Sequence, residues 1–174
     1  MKKIVLFIAV SLLISSIASA QREGRTRFSL GAELGVATSN PLSVDPDNKG
    51  WGLGIGVSAE AEHFYKQNLS GTAYIGLISY AGRAKTSTSN NKAYTVIPVR
   101  VGGNAYAGNL HLGAQIGVGL NSMSGTSATA FAYTPQIGYN FSRNEKPLDL
   151  TLKYDGYAGN GNFGALGLRL SIIL

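Results

Sequence analysis

The sequence predicts an all-β fold, an eight-stranded antiparallel transmembrane up-and-down β-barrel. Three observations lead there. Eight segments alternate apolar and small or polar residues with a period of two, the period of a strand with two unlike faces. Only 14% of the 174 residues are charged, against roughly 25% in ordinary soluble domains, and residues 112–142 hold no charge at all. Polar connections of unequal length join the segments, as in bacterial outer-membrane barrels.

The first strand is expected over residues 27–38, with Phe28, Leu30, Leu34 and Val36 on one face and Ser29, Gly31, Glu33 and Gly35 on the other. The second is "GWGLGIGVSAEAE", residues 50–62, where glycine at every other position opposes Trp51, Leu53, Ile55 and Val57. Glycine ordinarily weakens a strand, so four in alternation call for a confined face. The third covers residues 69–80, and its faces are ambiguous because Tyr74, Ile75, Leu77 and Ile78 load both sides. The fourth, residues 94–103, sets Ile97, Val99 and Val101 against Val96, Pro98 and Arg100.

The fifth alternates most regularly, with Leu110, Leu112, Ala114, Ile116, Val118 and Leu120 opposite His111, Gly113, Gln115, Gly117, Gly119 and Asn121. The sixth spans residues 129–141, with Phe131, Tyr133, Ile137 and Tyr139 on its apolar face. The seventh pairs Leu148, Leu150, Leu152 and Tyr154 with Asp149, Thr151, Lys153 and Asp155. The eighth places Leu166, Leu168, Leu170, Ile172 and Leu174 opposite Gly167, Arg169 and Ser171. Pro98 and Pro135 each remove a ladder donor, so a bulge or a strand end is expected at both.

Residues 1–20 read as a signal peptide: Lys2 and Lys3, then an apolar run, then Ala18-Ser19-Ala20 as a cleavage site. Residues 21–174 are then one outer-membrane β-barrel domain, with lipid as its first partner. There is no cysteine, hence no lipoprotein attachment point and no thiol chemistry. The net charge of +6 comes from scattered basic residues without the stripe and interleaved aromatics that nucleic acid would need.

Outside the ambiguous third strand, the aliphatic faces carry no Lys, Arg, Asp or Glu. A soluble barrel of lipocalin type would instead show a densely charged outer face. An eight-stranded barrel has an interior only just wide enough for side chains. The glycines therefore face inward and leave room for Glu33, Glu60, Glu62, Arg100, Lys153, Asp155 and Arg169, which read as a lumenal polar network bracing the barrel. Aromatic girdles are expected from Trp51, Tyr80, Tyr94, Tyr154 and Phe163 at the long-loop end, and from Phe28, Phe64, Tyr65, Tyr106 and Phe141 at the other.

With its signal peptide, its alternating segments, "YTVIPVRVGG" in strand four and "LGLRLSIIL" at the end, the chain resembles the small porin-family or PorT-like outer-membrane barrels common in the Bacteroidetes. Its likeness to OmpA- and OmpX-type barrels is architectural. Many such barrels end in Phe, where this one ends in Leu174.

Chemistry is sparse. Beyond residue 20 the histidines are His63 and His111, both placed near the short-turn end, away from the outer leaflet where a lipid-modifying enzyme would work. Neither catalysis nor a metal site is expected. "GIGVSA" and "GNGNFG" match a dinucleotide-binding pattern but lie in no βαβ unit, so no cofactor is expected. The expected role is structural or surface-interactive. An external ligand or protein would meet the loops 39–49, 83–92, 121–127 and 158–162, and the barrel would be a monomer. A narrow channel for ions or small solutes is the alternative, and a soluble periplasmic lipocalin-like binder the second.

Overall fold

The computed structural model describes residues 24–39, 51–82, 93–123, 126–141, 147–159 and 162–174. The signal peptide (1–20), the side chain of Trp51 and the connections 40–50 and 83–92 lie outside these. Eight strands follow in order: β1 (Thr26–Ser39), β2 (Trp51–Lys66), β3 (Leu69–Gly82), β4 (Tyr94–Ala107), β5 (Leu110–Met123), β6 (Thr126–Asn140), β7 (Leu148–Ala158) and β8 (Phe163–Ile173). Each pairs antiparallel with its neighbour, and β1 pairs with β8, closing the barrel. Closure leaves no sheet edge, which is what a strand-built wall needs in hydrocarbon.

The strands run longer than the alternation alone suggested. A strand of 14 residues reaches roughly 46 Å along its axis and about 33 Å across a bilayer at 45° tilt, enough for the hydrocarbon core. One consequence is a correction. The external loop expected at 121–127 is mostly strand: β5 and β6 stay paired down to Met123↔Thr126, so only residues 124–125 connect them. The Asn, Ser and Thr content there resembles a loop but continues the ladder. At the opposite end, called the turn end because the two-residue β2–β3 and β4–β5 turns, the start of β1 and the end of β8 lie there, Gly108 takes the β4–β5 turn at φ 66°, a left-handed value that suits glycine.

The prolines give a second correction. Neither sits at a bulge or a strand end. Pro98 keeps its pairing with Gly119 of β5, while the β3–β4 ladder skips from Ile75↔Val99 to Ile78↔Val96 in unchanged register. Pro135 keeps Ala114 of β5, while the β6–β7 ladder skips from Tyr133↔Gly156 to Gln136↔Lys153, again in register. Each of these two seams accommodates one missing donor without a shift of register.

The faces divide as the periodicity implies. Leu53, Ile55, Val57, Leu112 and Leu168 point outward, with Leu112 66% exposed. Among the described residues, Lys66, the last residue of β2 at the barrel rim, is the one exposed Asp, Glu, Lys or Arg within a strand; the outward positions between the strand ends carry none. The ambiguity of β3 resolves with Tyr74, Ile78 and Tyr80 inside and Ile75 and Leu77 outside.

Candidate functional site

The lumen is the site, and every strand supplies it through its inward positions. At the loop end it is apolar. Ile78, Tyr80, Tyr94, Val96, Tyr157 and Phe163 form a buried cluster with Ala130, Ala132 and Ala165. The Phe163 ring stands edge-on to Tyr80 and to Tyr94, each with centroids 4.9 Å apart, and stacks on Tyr157 at 5.9 Å. This corrects the girdle expected at that end: Tyr80, Tyr94 and Phe163 are inside the barrel. Phe64 and Tyr106, 5.4 Å apart, likewise turn toward the lumen at the turn end. Outward aromatics include Phe131, Tyr133, Tyr139, Phe141 and Tyr65, and Tyr154 of the expected girdle lies beside Tyr133 on the outside.

The glycine alternation of β2 finds its reason against this cluster. A Cβ added at Gly54 would stand 2.5 Å from a ring carbon of Tyr80, and one at Gly35 of β1 would stand 3.0 Å from its hydroxyl. The Tyr80 ring lies flat along both strands because neither has a side chain there.

The middle of the lumen is a charged belt. Arg100 donates to Asp155 and to Thr134. Lys153 reaches Glu33 at 2.5 Å and Asp155 at 3.1 Å. The Tyr74 hydroxyl donates to Glu33 at 2.5 Å, and its ring lies 4.1 Å from the Arg100 guanidinium. Two cations here match two carboxylates, which a confined interior requires.

Toward the turn end the polar network continues. Arg169 pairs with Glu60 at 3.2 Å and donates to Ser29 at 2.9 Å. Gln115 donates to Glu60 at 2.8 Å and to Thr72 at 3.1 Å. Glu62 accepts from Arg27 (2.6 Å), Ser70 (2.5 Å), Tyr106 (2.6 Å) and Asn104 (3.2 Å). His111 lies 3.0 Å from Asp149. A polar cavity of about 20 Å³ opens between Arg27, Glu60, Glu62, Tyr106, His111 and Asp149, room for about one water.

All seven charged residues singled out in the sequence face this lumen, and the structure joins them in three groups: Arg100–Asp155–Lys153–Glu33, Arg169–Glu60, and Glu62 with Arg27. Missed were Arg27, Tyr74, Tyr106, Gln115 and the His111–Asp149 pair. Among the described residues no group of three His, Cys, Asp or Glu could hold a metal ion.

No protein-family profile matches the chain, and no curated protein sequence matches it. Solved structures do. The crystal structure of Ail, the attachment invasion locus protein of Yersinia pestis, superposes with a TM-score of 0.57 at 13% identity, covering 87% of this chain and 99% of that one. Neisserial surface protein A superposes at 0.52 and 12% identity, covering 84% and 96%. A de novo designed transmembrane β-barrel superposes at 0.50 and 15%, covering 90% and 100%. At these identities the likeness is one of fold: this chain has the architecture of the small eight-stranded outer-membrane barrels.

Proposed function

We propose that the protein is an integral outer-membrane barrel, exported by residues 1–20, with its turn end in the periplasm and a structural or surface-interaction role carried by its external connections. The small-barrel family common in the Bacteroidetes is the kinship this reading favours. One observation carries it: the belt of outward Leu, Ile and Val, which among the described residues holds no charge between the strand ends. A soluble monomer rarely exposes contiguous apolar surface beyond a few hundred Å². Lipid is the solvent in which this surface is stable.

The lumen supports a plugged rather than a conducting barrel, since an aromatic cluster and an ion-paired belt lie in series along it. The first test is gel mobility of protein from purified outer membranes, with and without boiling. A shift only on heating is expected; a soluble protein without a shift would overturn the reading. Ile116→Arg sharpens it. Arginine facing the hydrocarbon costs about 2–4 kcal/mol near the midplane, whereas on a water-facing surface the change would stay within about 0.5 kcal/mol. Planar-bilayer conductance decides the plug, and a steady single-channel current in the wild type would favour the narrow-channel reading.

A further inference from the structure

The two proline gaps have different surroundings. On its β5 side β6 is paired without interruption from Leu110↔Tyr139 to Met123↔Thr126. On its β7 side, Thr134 and Pro135 stand opposite Asp155 and Tyr154 with no ladder pairing between them. Pro135 has no N–H to offer, and in hydrocarbon no water replaces a lost ladder bond. The side chains facing each other across this gap are the two that Arg100 holds: its guanidinium, reaching across the lumen from β4, donates to Thr134 on β6 and to Asp155 on β7. The Thr134 hydroxyl also donates to Asp155 at 2.9 Å. Outside, the rings of Tyr133 and Tyr154 lie 6.3 Å apart over the same seam.

We propose that the β6–β7 seam at Pro135 is a lateral joint of the barrel wall, held shut from inside by Arg100. Arg100 is here a positioning residue: its two hydrogen bonds tie the strands together where the ladder is interrupted. Arg100 also lies beside the second gap, where Pro98 interrupts β3–β4, and there its guanidinium rests on the Tyr74 ring of β3. The side chain that closes the far joint is thus anchored at the near one.

Residue-resolved amide hydrogen exchange on the full barrel in lipid nanodiscs tests this. Arg100→Gln is expected to speed exchange of residues 132–136 and 153–157 by at least ~10-fold, while β1–β2 and β5–β6 change little. Pro135→Ala supplies the missing donor. It should cancel most of that acceleration in the Arg100→Gln background and leave the wild-type seam nearly unchanged. Acceleration spread equally over all seams, or an equal effect of Pro135→Ala in both backgrounds, would overturn the joint. If Arg100→Gln does not fold, Thr134→Val removes one tie and leaves every charge paired. It should still loosen this seam selectively, and an unaltered seam would overturn the proposal. Heat-modifiability, which tests the membrane reading, is scored separately in each variant.

Discussion

The two ends of the lumen solve one problem by opposite means. The loop end fills the barrel with rings against glycine and alanine, needing no partner beyond shape. The belt and the turn end fill it with charges that need named partners: Lys153 serves Glu33 and Asp155, and Arg27 serves Glu62. Loss of a ring leaves a hole. Loss of a charge leaves a buried counter-charge, and the second fault is the more costly per atom removed.

The largest effect is therefore expected in the belt. Lys153→Met removes the ion pair of Glu33 and leaves it the Tyr74 hydroxyl and, across the β1–β8 ladder, the more distant charge of Arg169; it should cost about 3–5 kcal/mol in denaturant unfolding from lipid, read by gel mobility. Adding Glu33→Gln removes the stranded charge and should recover more than half. A single-variant cost below about 1 kcal/mol would break the contrast between the ends.

At the loop end, Phe163→Ala should cost about 3 kcal/mol, the low end for a buried aromatic. Tyr80, Tyr94 and Tyr157 surround the hole it leaves. If the barrel is plugged as proposed, conductance should be absent in this variant too, because the belt still lies in series below. A current in this variant would assign the seal to the rings alone.

How far the sequence reaches differs between the ends for a physical reason. A period of two tells which face a side chain takes, and a charge declares the lumenal face, so the seven belt and turn-end residues were legible. Tyr94 and Phe163 share parity with Arg100 and Arg169, so the same signal would have put them inside. Height along the strand suggested a girdle instead, and parity is the stronger constraint. Tyr74 was hidden because Ile75, Leu77 and Ile78 load both faces of β3. The pairing of His111 with Asp149 joins strands five and seven, and of Arg100 with Asp155 strands four and seven. Such contacts across the lumen depend on closure and stagger, which no local pattern records.

Tyr74→Phe isolates the contribution of one hydroxyl. It keeps the ring beneath Arg100 and removes the 2.5 Å bond to Glu33. A hydrogen bond to a charged group contributes about 1.5–3 kcal/mol, so a loss in that range is expected in the same unfolding assay. A loss under about 0.5 kcal/mol would mean that Lys153 alone holds Glu33.

The smallest change returns to the alternating glycines. Gly54→Ala adds one methyl where a ring carbon of Tyr80 stands 2.5 Å from the new atom. Tyr80 is 1% exposed and wedged by Phe163, so its ring cannot step aside freely. Overpacking of this kind costs about 1–3 kcal/mol, and one methyl against one ring should fall near 1. Tyr80→Leu should vacate the space, so the double variant should be less destabilised than the sum of the singles by at least ~0.5 kcal/mol. Strict additivity would mean that glycine at 54 serves the backbone and not the ring. The loop end would then lose its claim to be held by shape alone.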